Sequence, residues 1–494
     1  MRFSADASVR RVGDRTLLGG SPLRLFTLSA AGSDLADRAL SGEAIDGASA
    51  AQRRLLDRLV DSGAIHPDVD DTDASAEVTA VIPVRDRADG LERLLGSLAS
   101  VDDADRPASI IVVDDGSIDT GSVTGVADRY GATVVRREVS SGPASARNRG
   151  AMVATTRFVA FVDSDTVVTP GWLTRSMGHF ADDRVGIVAV RVQAPSPEPG
   201  AGVLGAFESS RSPLDLGDEP GRVAPRTRIA YVPAAGLLVR TSALRDLDGF
   251  DDSLIVGEDV DLVWRADERG WRVRYEPAAR IVHDVRPTMR AWVRQRFDYG
   301  TSAAVLDERH PGSVAPVSAS PWSLGAWAAV GLGHPVAGGM VALGSAAALP
   351  RRLPGVPASE ALRLALAGHV GAGRLLARSV VRVWWPVALG ASLVSRRARG
   401  LTVAAATVSA IDAAVAASRH GDRRPVALAA LSIVDDVAYG AGVWAGCVRH
   451  RSFRAILPAV TRSPVRSAPR SGRRRPRSVM RNARWNVHSA SQNG

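Results

Sequence analysis

Cysteine occurs once in the 494 residues, at Cys447. A single thiol forms no internal disulfide and leaves no cysteine-based metal site, which fits a reducing, cytosolic setting. Lysine is absent, so all 62 basic side chains are arginines. We read that bias as GC-rich coding rather than as a device. The opening residues, Met1-Arg2-Phe3-Ser4-Ala5-Asp6, lack the apolar stretch of a secretory signal, so the main body of the chain is expected to face the cytoplasm. From Arg451 onward there are eleven arginines and no acidic residue. That tail alone carries +11, and with a net charge of +10 overall the remainder sums to about −1. Basicity therefore belongs to the tail, and the rest of the chain carries no electrostatic footprint for nucleic acid.

What is present is enough for two or three domains with proper cores. Apolar residues make up 45% and charged residues 23%, the balance of a folded protein. Residues 1–76 form a small α+β module: a hairpin is expected over Val12 to Leu25 with its turn at Gly19-Gly20, then a helix from Ala50 to Ser62. An acidic, small-residue linker follows from Asp68 to Glu77. Residues 77–310 read as an α/β domain with a mostly parallel central sheet and helices on both faces. Its apolar runs are Val78 to Pro83, Ile110 to Val113, Thr133 to Val135, Phe158 to Val162 and Val185 to Val190. Leu91, Leu94, Leu95 and Leu98 mark an amphipathic helix between the first two.

Residues 320–460 form an apolar helical region. Pro321 to Pro350 holds no charged side chain, long enough to cross a bilayer or to fold as a helical hairpin within it. Later apolar segments are interrupted by Pro386, by Asp412 and by the pair Asp435 and Asp436. A buried soluble bundle is the alternative to a membrane. The arginines at 351, 352, 396, 397 and 399 crowd the segment ends as cytoplasmic anchors do, which favours the membrane. Residues 461–494 read as a disordered, Arg-rich tail able to touch anionic lipid or simply to stay solvated.

Chemistry is suggested first by Phe158 to Val162 running into Asp163-Ser164-Asp165. Two carboxylates at the carboxyl end of a sheet strand sit where open α/β sheets bind ligands, and their oxygens suit Mg2+ or Mn2+ shared with a diphosphate. A second strand ends in Asp114-Asp115-Gly116-Ser117 and brings acid to the same edge. Ser141 to Gly150 is a glycine-bearing turn entering a helix, whose amides and Arg147 suit nucleotide contact. Gly257-Glu258-Asp259 opens another helix, and a carboxylate there can take the proton of an attacking hydroxyl. Each motif alone has a plain structural reading, as a turn, a cap or a solvated face.

As a set, these residues resemble the family 2 glycosyltransferases with the GT-A fold. The match includes Val81-Ile82-Pro83-Val84, Val112 to Ser117, Gly142 to Gly150, Asp163-Ser164-Asp165, Gly236 to Arg240, Gly249-Phe250-Asp251, Glu258-Asp259 and Arg296-Phe297. The resemblance implies that Pro83, Asp114 and Asp115 lie beside the uridine of a UDP-sugar donor. It implies further that Asp163 and Asp165, with Ser164 between them, serve metal and diphosphate. Asp259 would be the base, and Glu258 would orient it or the acceptor. His283 falls where some relatives place a further metal contact. Processive synthases carry Gln-x-x-Arg-Trp, whereas Val293 stands at the Gln position here. Gln295 and Arg296 are therefore taken as acceptor-side residues, and processivity is left open.

The front module resembles the small domains that deliver ribosomal precursor peptides to modifying enzymes. Joined to this catalytic domain and an apolar C-terminal part, it is similar to the glycosyltransferase family of the mycofactocin system. That resemblance implies glucose transfer from UDP-glucose to premycofactocin, with β-1,4 linkage, at the cytoplasmic face of the membrane. Two rival readings are a cell-envelope transferase using rhamnose, galactose or another sugar on a lipid-linked or polysaccharide acceptor, and a non-catalytic scaffold that binds glycan or peptide.

Overall fold

The computed structural model describes residues 1–196, 202–353, 355–419 and 424–461, so all but the first residue of the Arg-rich tail lies outside the described residues. The front module contains β1 (Arg2–Ala5), β2 (Arg10–Gly13), β3 (Thr16–Gly19), β4 (Arg24–Thr27), α1 (Ala30–Leu40), α2 (Ala50–Asp61) and β5 (Ile65–Asp68). Strands β2, β3 and β4 form an antiparallel meander, and β1 pairs with β5. The expected hairpin is thus two hairpins. A first turn at Asp14-Arg15 follows β2, Gly19 stays inside β3, and the second turn begins at Gly20 with φ 88°. Helix α2 starts where expected because Ser49 and Gln52 close a reciprocal capping box. Phe3, Leu17, Phe26, Leu35, Leu56, Leu59 and Ile65 give the module its own core. It is fastened to the next domain by Arg272, which pairs with Asp57 and Asp61, and by Arg184, which also pairs with Asp57.

The second domain runs through β6 (Val78–Val84), α3 (Ala88–Ser100), β7 (Ser109–Asp115), α4 (Thr120–Arg129), β8 (Thr133–Arg137), α5 (Pro143–Val153), β9 (Phe158–Val162) and β10 (Thr166–Val168). It continues with α6 (Thr174–Met177), β11 (Val185–Gln193), α7 (Val203–Arg211), β12 (Gly221–Arg222), β13 (Gly236–Arg240), α8 (Thr241–Asp246), α9 (Glu258–Arg269) and β14 (Arg272–His283). All five apolar runs are strands. The sheet is parallel across β8, β7, β6 and β9, reverses at β13, and continues through β11 to β14, which lies parallel to β11. Alternation along each strand divides two cores. Val78, Ile82 and Val112 face α3 and α4, while Val81, Ile111 and Val113 face α5 and α9.

Two helices, α10 (Met289–Thr301) and α11 (Ala303–Arg309), and the short β15 (Ser318–Ala319) lead to the helical region. The uncharged stretch after Ser320 folds as α12 (Pro321–Gly331) and α13 (Pro335–Ala348), a hairpin broken at Gly333-His334. After α14 (Ala358–Arg382) and α15 (Trp385–Val394) come α16 (Arg396–Arg419) and α17 (Pro425–His450), and β16 (Ala459–Val460) pairs with β15. Residues 396–418 of α16 and the whole of α17 are long and apolar enough to cross a membrane by length and composition. They are placed differently. Helix α17 lies along α10 so closely that a Cβ at Gly442 would meet the Phe297 carbonyl oxygen at 1.9 Å.

Candidate active site

The carboxyl ends of β6, β7 and β9, the start of α9, the end of β14 and helix α10 surround one cavity of about 750 Å3. Pro83, Asp115, Arg147, Asp163, Ser164, Asp165, Glu258, Asp259, His283, Gln295 and Arg296 all line it. Asp114 does not. Neighbouring residues of a strand face opposite ways, so of the Asp114-Asp115 pair only one reaches the cavity. Asp114 is fully buried and clamps the turn after β7, accepting from the Ser117 amide at 2.9 Å and from Arg136. It holds the loop and does not line the cavity.

Asp115 accepts from Ser140 Oγ at 2.8 Å and from the amides of Ser141 and Gly142 at 3.2 and 3.0 Å. Those amides, expected to contact nucleotide, instead fix the entrance of α5 to the end of β7. Asn148 is likewise structural. Its amide group joins α5 to the backbone of Phe250 through two hydrogen bonds of 2.8 Å.

Arg147 is the hinge of the site. Its guanidinium donates to Asp163 and to Glu258, both at 2.7 Å, and thereby ties the end of β9 to the start of α9. Burial opposes the charge on Arg147, but the two carboxylates outweigh it and hold the proton more firmly than usual. Asp163 is driven below its ordinary value, since Arg147 overcomes the effect of burial. Glu258 moves the other way. Burial first, then the adjoining Asp259 charge, push it up to about 7 despite Arg147. Asp259 is also raised by burial, although the Val260 amide donates to it at 2.8 Å and the Ala234 amide at 3.3 Å. Carboxylates at a helix start are usually favoured by its dipole; here desolvation wins.

Asp165 meets a different set. The antiparallel register pairs Thr166 with His283, which sets the His283 ring 3.3 Å from the Asp165 carboxylate. One donor atom from each of Asp163, Asp165 and His283 lies within 4.8 Å of the others. Two carboxylates and an imidazole form a donor set that fits a divalent cation such as Mn2+ or Mg2+. Arg87 pairs with Asp165, and Arg286 stands 3.6 Å from it, so this corner favours anionic ligand atoms. Neither arginine was marked in the sequence, where both look like surface charge. A Cβ at Gly90 would meet the Ser164 carbonyl oxygen at 2.8 Å, so α3 can hold this acidic turn only with glycine there.

Arg296 is buried and salt-bridged to Glu208 of α7, while its Nε stands 2.6 Å from Asp435 Oδ1 of α17. Gln295 lines the cavity beside it. Tyr231, Tyr299, Arg382, Asp435 and Tyr439 complete this end of the cavity, and none was singled out as a site residue from sequence. The signal available was the acidic pair Asp435-Asp436 inside an apolar run, because buried carboxylates need cationic partners.

This fold and this cluster define a glycosyltransferase of family 2, and the chain belongs to that family: residues 79–245 match the model described as Glycosyl transferase family 2. The chain is an enzyme of the GT-A kind. More particularly, it is 38% identical over 471 residues to the pre-mycofactocin glycosyltransferase of Mycobacterium tuberculosis, covering 92% of this chain and 97% of that protein. The succinoglycan biosynthesis protein ExoU of Rhizobium meliloti is 28% identical over 208 residues, 41% of this chain and 60% of its own length. A mannosyltransferase from Pyrobaculum calidifontis, solved in complex with GDP-Man and Mn2+, overlays 72% of this chain and 89% of its own at 20% identity. Its TM-score is 0.38, too loose an overlay to argue from.

Proposed function

We propose that the chain transfers glucose from UDP-glucose to pre-mycofactocin, with inversion at the anomeric carbon and growth of a short β-1,4-linked glucan. The observation that carries this reading is the convergence of Asp115, Asp163, Asp165, Glu258 and Asp259 on one cavity, with a relative of nearly the same length named for that acceptor. Pro83 and Asp115 border the nucleotide end. Asp163, Asp165 and His283 would hold the cation, which when bound supplies positive charge against the diphosphate. At the other side Asp259 takes the proton of the attacking acceptor hydroxyl. The hydroxyl oxygen bonds to the anomeric carbon, the bond from that carbon to the diphosphate oxygen breaks, and UDP leaves with the electron pair. Arg147 keeps Glu258 and Asp163 in register, so base and diphosphate sites are held together.

In this reading the front module receives the precursor peptide, for which the outer edge of β4 is a place to add a strand. The helical region lies against the cytoplasmic side of the membrane. Val336, Leu343, Leu393 and Val394 all point out of the protein there, and an Arg-rich tail can meet anionic lipid headgroups. The test is intact-mass analysis of pre-mycofactocin incubated with the full chain, UDP-glucose and Mn2+. Additions in steps of one hexose are expected. Turnover only with a lipid-linked glycan would replace the acceptor, and absence of UDP release with any donor would leave a binding scaffold.

A further inference from the structure

The catalytic cavity does not end at the catalytic domain. Its far wall is built by Arg382 at the end of α14 and by Asp435 and Tyr439 of α17. Behind that wall lies a second cavity of about 280 Å3, close to the lower bound for small-molecule sites. Arg382 and Tyr439 line both spaces. The Arg382 guanidinium carbon stands 3.7 Å from the centre of the Tyr439 ring, and Arg382 is held from behind by Asp436 and Asp435. The stacked pair is therefore anchored through Arg382 by two carboxylates of α17.

The chemistry of this end differs from that of the nucleotide end. Three of the five tyrosines in the chain, Tyr231, Tyr299 and Tyr439, gather here. Tyr231 donates to the Pro213 carbonyl at 2.8 Å, but the hydroxyls of Tyr299 and Tyr439 make no hydrogen bond among the described residues. Flat apolar rings with unengaged hydroxyls suit a ligand that is itself a stack of rings bearing hydroxyl groups. An acceptor that is only one ring long would be contained in the first cavity. A second space that shares Val314, Arg382 and Tyr439 with it has a use when the acceptor is longer.

Resting on the transferase reading above, we propose that the acceptor lies across the Arg382–Tyr439 pair. Its reacting hydroxyl points toward Asp259, and its distal rings enter the second cavity between Leu375, Val383 and Val443. The C-terminal helices are thus part of the acceptor site, and the substrate class is a hydroxylated acceptor of more than one ring, such as a glycoside that has already gained a sugar.

The experiment uses the full chain with UDP-glucose, Mn2+ and pre-mycofactocin, and reads acceptor KM, donor KM and the number of hexoses added. Tyr439→Ala is expected to raise the acceptor KM at least tenfold with donor KM within about twofold, and Tyr439→Phe, which keeps the ring but not the free hydroxyl, to recover only part of the loss. Leu375 is exposed at the rim of the second cavity, so Leu375→Trp narrows that space with little cost to folding and is expected to shorten the products. Acceptor KM and product length unchanged in both variants would overturn the inference, as would equal rises in donor and acceptor KM. Wild-type protein that transfers no hexose to pre-mycofactocin would instead remove the underlying acceptor reading, and the inference with it.

Discussion

The α/β domain and the helices behind it are both rich in apolar residues, yet they dispose of them in opposite ways. In the domain Phe161, Trp172 and Ile82 are closed off from solvent, whereas Val336, Leu393 and Val394 stand 75, 83 and 88% exposed. One region is folded against itself, and the other presents its side chains outward as if water were not its only neighbour. Helix α17 marks the boundary. Although it has the length and composition of a membrane span, its glycines close on α10 and its two aspartates pair with Arg296 and Arg382 of the protein. Helix α16 meets the catalytic domain near its C-terminal end, where Arg211 of α7 donates to the Ala413 carbonyl at 2.8 Å and Ala417 packs beside Phe207, but its Asp412 pairs with Arg374 of α14 near the surface. Two sequences of equal hydropathy are therefore distinguished by where their charges find partners.

That contrast can be broken by substitution. Trp172→Ala should cost about 3–5 kcal/mol, because it empties a closed core and strands the Asp105 carbonyl that its indole donates to. Asp435→Ala should cost roughly 3 kcal/mol and lower transfer, since Arg296 is then left buried beside Glu208 alone. Asp412→Ala, at the exposed pair, should leave the unfolding midpoint unchanged; a drop as large as that of Asp435→Ala would erase the distinction between α16 and α17.

A pH series sharpens the comparison within one helix. Glu258 and Asp259 are raised by burial, while Asp261, two residues on, is lowered because His310 and Arg265 outweigh its burial. Glu258 holds a proton below about 7, and Asp259, raised by burial, accepts the hydroxyl proton only once it is ionised. The transfer rate should therefore climb, by up to about tenfold per pH unit, as pH rises through the range in which Asp259 ionises and level off above it. The sign for stability is opposite. A raised carboxyl favours the fold at low pH and loses that contribution as pH rises through its folded value. Asp261 instead contributes above its unfolded value and loses it on acidification. A rate that falls from pH 6 to 8 would exclude Asp259 as the proton acceptor. The smallest effect is expected at Val394→Ser, within about 0.5 kcal/mol in thermal unfolding. Leu393→Glu should leave the midpoint equally unmoved yet reduce flotation with anionic vesicles; unchanged flotation would argue against lipid as the neighbour of this face.

The strands of the nucleotide-binding half were legible because fully buried parallel strands write themselves as unbroken apolar runs. Strand β14 was not, since Arg272, Arg274, Glu276 and Arg280 interrupt it and Arg272 turns out to grip the front module. Most of the site could be read from motifs at strand ends. Asp114 could not be separated from Asp115 without knowing which way the strand faces the cavity. Arg382 and Tyr439 were beyond reach for another reason, and Asp435 showed only as a charge in an apolar run: helix packing brings all three to the site from far along the chain, and nothing local encodes that meeting.

In the proposed reaction the start of α9 supplies the base for the acceptor hydroxyl that attacks a sugar donor held at the ends of β6, β7 and β9. Asp259→Asn assayed beside wild type for hexose transfer and for UDP-glucose binding tests it most directly. The account predicts a fall of about 10²–10⁴ in transfer with donor affinity retained; transfer at the wild-type rate would contradict it.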